Sequence, residues 1–88
     1  MVERRVIITN SHGIHARPSA AIVKLAARYT SGITLVRDDL EVNGKSIMGV
    51  MMLAAECGAE MIVRADGADE EQAVDALAAL IGSEFDAS

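Results

Sequence analysis

The chain has 88 residues and a mass of 9.3 kDa, room for one hydrophobic core, so a single domain over 1–88 is expected. With 51% hydrophobic and 24% charged residues it is too apolar to be disordered, and its two aromatic residues, Tyr29 and Phe85, are too few to stack the bases of a nucleic acid. A net charge of −5 and a pI near 4.8 oppose attraction to DNA or to an anionic membrane, so no nucleic-acid partner is expected.

Val6 and Ile8 alternate with Arg5, Ile7 and Thr9, the period of a strand, which the turn-forming run Asn10-Ser11-His12-Gly13 ends. From about Ala16 the spacing changes to three and four through Pro18, Ile22, Leu25, Ala26 and Tyr29, and Ser31-Gly32 closes this amphipathic helix. Pro18 fits its first turn, where a missing N–H removes no intrahelical bond. Ile33, Leu35 and Arg37 alternate with Thr34 and Val36, Asp38-Asp39 turns the chain, and Leu40 and Val42 alternate with Glu41 up to Asn43-Gly44, which reads as a hairpin.

Ser46 is placed to cap a second helix through Ile47, Met48, Val50, Met51, Leu53 and Ala54 as far as Cys57-Gly58, with Gly49 weakening it. Met61, Val63 and Ala65 alternate with Ile62 and Arg64 as a fourth strand ended by Asp66-Gly67. Asp69 with Gln72 three residues later is a capping-box-like start, and Ala73, Val74, Leu77, Leu80 and Ile81 give the third helix its buried stripe up to Gly82. The order β-α-β-β-α-β-α predicts an α+β fold, a four-stranded, mainly antiparallel sheet covered on one face by three helices and wet on the other.

Charge along the chain is uneven. Residues 1–45 carry Arg4, Arg5, Arg17, Lys24, Arg28, Arg37 and Lys45 against four acids, a balance of +3, whereas residues 46–88 carry Arg64 against nine acids, a balance of −8. An anion handled by this protein is expected to meet the first half. There, Gly13-Ile14-His15-Ala16-Arg17-Pro18 puts a histidine at the junction of a turn and a helix, where free backbone N–H groups and the positive end of the helix dipole meet an anion. That potential disfavours imidazolium and leaves a ring nitrogen free to attack phosphorus. Arg17 can offer bidentate, charge-assisted hydrogen bonds to phosphoryl oxygens. At 100° per residue, Arg17, Lys24 and Arg28 fall within about 20° of one line along a helix. That stripe is either a solvated face or a docking strip for acidic partners. Taken alone, the local pattern favours a capping or surface histidine at position 15, since a helix N-terminus with one histidine and one arginine is common.

The segments Gly13-Ile14-His15-Ala16-Arg17-Pro18 and Lys45-Ser46-Ile47-Met48-Gly49-Val50-Met51, with Gly58-Ala59-Glu60 before the last strand, closely resemble the histidine-containing phosphocarrier (HPr) family of the bacterial phosphoenolpyruvate-dependent phosphotransferase system. The resemblance spans nearly the whole chain. It implies an HPr-like open-faced β-sandwich with three helices on one side of the sheet. It implies that His15 accepts a phosphoryl group on Nδ1 from phosphorylated enzyme I and passes it to an enzyme IIA domain, serving sugar transport as a carrier and not as a stand-alone enzyme, with no cofactor. Arg17 and the backbone N–H groups of Ala16 and Arg17 then stabilise the phosphate. Ser46 is then the family's regulatory serine, a substrate for HPr kinase/phosphorylase. Asn10, Arg37-Asp38-Asp39 and Phe85-Asp86 resemble the nitrogen-branch paralogue, for which the alternative role is a regulatory module acting through phosphorylation-dependent protein binding. His12 departs from the small polar residue common in the family and is a candidate modulator of His15.

The second helix is apolar on more than one face. Val50, Leu53 and Ala54 can fill the core, which leaves Ile47, Met48 and Met51 either as an adaptable partner-binding surface or as further core in a short buried helix. Gly44-Lys45-Ser46 has the ending of a nucleotide-binding loop, but Asp39 stands where that motif needs glycine, so it is rejected. His12 and His15 lack the further ligands a metal site needs. Cys57, the only cysteine, excludes an intrachain disulfide and reads as a small buried residue. The absence of an apolar run suited to a signal peptide or a membrane span leads us to expect a cytoplasmic location without membrane insertion.

Overall fold

Alternating strands need partners for their backbone groups, and here the last strand supplies them to two others. The computed structural model describes residues 1–9, 16–53, 56 and 58–82, with the side chains of residues 16 and 17 outside that description. Its elements are β1 (Val2–Ile7), α1 (Ala16–Ala26), β2 (Gly32–Arg37), β3 (Leu40–Asn43), α2 (Ile47–Met52), β4 (Glu60–Asp66) and α3 (Glu70–Gly82). The sheet runs β1-β4-β2-β3 with every pairing antiparallel. β4 therefore lies inside the sheet, with Val6 opposite Met61 on one side and Leu35 opposite Val63 on the other.

Register decides which side chains are covered. Val6 and Ile8 at the β1 end, Ile33 and Leu35 on β2, Val42 on β3, and Met61, Val63 and Ala65 on β4 form one core with Ile22 and Ala26 of α1, Val50 and Leu53 at α2, and Ala73, Val74, Leu77 and Ile81 of α3. Fully burying one such aliphatic side chain is worth about 1.5–3 kcal/mol. The opposite face carries Glu3, Arg64 and Glu41, with Arg64 ion-paired to Glu3 (2.6 Å) and to Glu41 (3.3 Å). Val36 is the exception on that face, 8% exposed between its register partners Ile62 and Glu41.

Three details differ from the sequence reading. α1 ends at Ala26 and not at Tyr29, because the chain tightens into three-residue turns, Arg28 N–H to Leu25 O (3.0 Å) and Tyr29 N–H to Ala26 O (3.1 Å), and Lys45 Nζ donates to the Tyr29 carbonyl (2.8 Å). α2 is assigned only as Ile47–Met52, short of Cys57-Gly58, and Ala54, Ala55 and Cys57 lie outside the described residues. Asp69 does not serve its own helix alone. Its carboxylate accepts from Thr30 N–H (2.9 Å), Ser31 N–H (2.9 Å) and Ser31 Oγ (2.5 Å), tying the start of α3 to the loop before β2. The cap reaching back at α3 comes instead from Glu70, whose Oε1 accepts from Gly67 N–H (3.0 Å). These bonds favour the ionised carboxyls. The Ser31 hydroxyl foremost, with the Thr30 and Ser31 amides, lowers Asp69 to about 2, and the Gly67 amide lowers Glu70.

Among the described residues no helix is long and apolar enough to cross a membrane, and no cluster of three or more metal-ligating side chains occurs.

Candidate functional site

The sequence places its chemistry at the head of α1. That helix begins at Ala16, so the N–H groups of Ala16 and Arg17 stand in its first turn with no intrahelical acceptor. Pro18 follows, buried, with no N–H to satisfy, and Ser19 behind it is buried with no hydrogen-bond partner for its hydroxyl among the described residues. His15, His12, Gly13 and Ile14 lie outside the described residues, as does the side chain of Arg17.

Four of the seven basic residues of the first half are committed elsewhere. Arg4 pairs with Asp75 (2.5 Å), Arg5 with Glu60 (3.7 Å), Arg37 with Glu56, and Lys45 binds the Tyr29 carbonyl. The balance of +3 is thus no general attraction for an anion. Lys24 and Arg28 are exposed and make no ion pair among the described residues. The uniform 100° spacing holds for Arg17 and Lys24 but stops short of Arg28, which lies in the turn past the helix end.

α2 is far shorter than the roughly 12–15 residues an isolated helix needs, so its ends must be held. Ser46, with φ −117° and ψ 120°, is its N-cap, and Ser46 Oγ accepts from Gly49 N–H at 3.1 Å. Gly49 has a use beyond its low helix propensity, because a Cβ there would sit 3.2 Å from the Asn43 carbonyl that receives Ser46 N–H. At the other end Arg37 Nη1 donates to the Leu53 carbonyl at 3.1 Å, where the helix dipole is negative. Val50 and Leu53 anchor the helix in the core.

The remaining apolar residues of α2 face outward. Ile47 is 46% exposed, Met48 78% and Met51 44%, which excludes the fully buried alternative. Met52, 65% exposed, belongs with them and was missed by the sequence reading. Its position four residues after Met48, about 40° round the helix, was signal enough. α1 and α2 pack against each other, and Lys45 fixes the start of α2 beside the Arg28-Tyr29 turn. The structure thus places Lys24 on α1, Arg28 in the turn that follows it, and Ser46 with the exposed side chains at α2, the helix packed against α1. Depressions of about 350 Å³ and 420 Å³ lie on the sheet instead, and no residue of α1, α2 or α3 lines them. An exposed apolar helix surface such as that of Ile47, Met48, Met51 and Met52 suits docking to a macromolecule.

Known proteins agree with this architecture. The family model described as PTS HPr component phosphorylation site matches residues 2–83. Phosphocarrier protein HPr of Treponema pallidum is 48% identical over 86 residues, covering 98% of each chain, and the HPr-like protein Crh of Bacillus subtilis is 43% identical over 84 residues, covering 96% of this chain and 99% of its own. A crystal structure of HPr from Thermoanaerobacter tengcongensis superposes with a TM-score of 0.93 at 43% identity, covering 98% of this chain and 97% of that one. The fold is the α+β open-faced sandwich of such phosphocarriers. The chain belongs to the HPr family of the phosphotransferase system.

Proposed function

We propose that this protein, as one domain over 1–88, carries a phosphoryl group on His15 between phosphorylated enzyme I and enzyme IIA domains in the cytoplasm, in the service of sugar uptake. The observation that carries this reading is the start of α1 at Ala16, directly after His15, in a chain of the HPr family. The N–P bond of a donor phosphohistidine breaks as Nδ1 of His15 forms its own, and the proton balance is that of one imidazole replacing another. Free amides of Ala16 and Arg17, with the Arg17 guanidinium, then hold the phosphoryl oxygens. Dipole interactions of about 0.3–1 kcal/mol bias such a transfer without trapping the group. His12, three residues before His15 in the sequence, acts as its modulator.

Lys24, Arg28 and the exposed Ile47, Met48 and Met51 dock the partners. Phosphate placed on Ser46 by HPr kinase/phosphorylase adds roughly −1.5 to −2 charge at a helix N-terminus, where folding tolerates it, but beside apolar side chains that a partner must cover. A regulatory role acting through that phosphorylation is compatible with carriage, and the position of Ser46 beside exposed Ile47 and Met48 favours it.

Incubation with enzyme I, phosphoenolpyruvate and Mg²⁺ is the test. An acid-labile, alkali-stable adduct that vanishes in His15→Ala is expected, and its absence with a competent enzyme I would refute the carrier reading. Onward transfer to a sugar-type or a nitrogen-type enzyme IIA decides the branch.

A further inference from the structure

The five methionines divide sharply. Met61 lies in the core at 1% exposure, and Met1 is exposed at the start of β1, beside Asp66 and Glu70. Met48, Met51 and Met52 are exposed together on α2 at relative positions i, i+3 and i+4, which puts their thioethers on neighbouring parts of one helix surface. Nothing in the core depends on these three side chains, because Val50 and Leu53 do the anchoring while Ser46 and Arg37 hold the helix ends. An exposed thioether is open to two-electron oxidants, and the sulfoxide it becomes is polar.

We propose that Met48, Met51 and Met52 form a reversible oxidation site for hydrogen peroxide and related two-electron oxidants, and that oxidation there blocks partner docking while leaving the fold intact. In each event the thioether sulfur attacks a peroxide oxygen. An S–O bond forms as the O–O bond breaks, sulfur loses two electrons, and the leaving hydroxide takes the proton from the oxygen now on sulfur and departs as water. Reduction returns the oxygen as water at the expense of two thiols, which become a disulfide, with a separate reductase for each sulfoxide epimer. A sulfoxide oxygen on this surface keeps its hydrogen bonds to water and loses them when a partner covers it. The docking half of the proposal rests on the carrier reading, and the oxidation half stands without it.

The test treats the full chain with hydrogen peroxide, quenches with catalase, and adds dithiothreitol to return any oxidised Cys57 thiol. Peptide mass mapping should show an added mass of about 16 Da on Met48, Met51 and Met52, and on Met1, with Met61 spared. Circular dichroism and the melting temperature should stay near those of the untreated protein. The initial rate of phosphorylation by untreated enzyme I should fall by about tenfold and recover after both epimer-specific methionine sulfoxide reductases. A Met48→Leu, Met51→Leu, Met52→Leu variant, compared with its own untreated rate, should lose its sensitivity to peroxide. Oxidation of Met61 as fast as of the α2 methionines, an oxidised protein phosphorylated at the untreated rate, or equal sensitivity in the leucine variant would each overturn the proposal. Failure of the untreated protein to accept phosphate at all would instead remove the carrier reading and the docking half with it, and the mass map would still decide whether α2 is the oxidation site.

Discussion

Ser46 offers a separation of two roles that one hydroxyl carries. Its Oγ caps α2 through Gly49 N–H, and its carbonyl accepts from Val50 N–H at 2.9 Å, so the side chain supports a helix of only six residues. Ser46→Ala removes the cap and should cost about 1 kcal/mol, which for a domain of this size lowers the melting temperature by roughly 4–8 °C. Ser46→Asp keeps an acceptor at the same place and adds a charge that the helix dipole favours by about 0.3–1 kcal/mol, so its stability should equal or exceed that of the parent. Docking ranks the two variants the other way. The carboxylate stands beside exposed Ile47 and Met48, and covering it with a partner should slow phosphorylation by enzyme I about tenfold or more, equivalent to about 1.4 kcal/mol, while the alanine variant stays close to the parent rate. Thermal unfolding followed by circular dichroism and initial rates at limiting enzyme I measure the two properties. Two results would refute the reasoning: an aspartate variant as unstable as the alanine variant, or one phosphorylated at the parent rate.

The corner between β4 and α3 yields two further expectations. Asp69 is held to about 2, below its usual 3.8, so its contribution to stability is complete above the unfolded value and is lost as the pH falls through the folded one. The melting temperature should therefore drop between about pH 4 and about pH 2, and Asp69→Asn should flatten that drop while leaving a residue due to Glu70, whose carboxyl is shifted in the same direction; an unchanged acid profile in the variant would contradict the assignment. Gly67→Ala would bring a Cβ to 2.7 Å from Ser31 Cα and 2.6 Å from Ser31 Oγ, so the loop that Asp69 holds must shift. A loss of about 2–3 kcal/mol in urea unfolding is expected, and a change under about 0.5 kcal/mol would show that the corner is not tightly packed.

Much of this architecture is legible in the sequence because each strand declares its inner side. Met61, Val63 and Ala65 could be assigned to the core from alternation alone, and Val50 with Leu53 from helical spacing. Val36 could not, since its shelter on the open face comes from strand neighbours that periodicity does not identify. The local pattern at Asp69 indicates only a helix cap, whereas the bonds that set its ionisation come from residues 38 and 39 positions away. At the site, the apolar surplus on α2 was visible by counting residues against available core. The commitment of Arg37 and Lys45 to helix ends was not, because a cation that satisfies a distant carbonyl looks in sequence like one free to bind an anion.

The position of β4 in the sheet also governs how the protein can come into being. Val2 pairs with Ala65 and Ile7 with Glu60, so β1, the first of these four strands in chain order, waits for one translated about 60 residues later, a delay of about 3–12 s at ordinary elongation rates. Until then β2 and β3 can close their hairpin, but Leu35 has no Val63 to meet and β1 has no neighbour. Completion of the sheet is a late event that waits for β4, and a chain halted in the second helix has at most the β2–β3 hairpin to fold into.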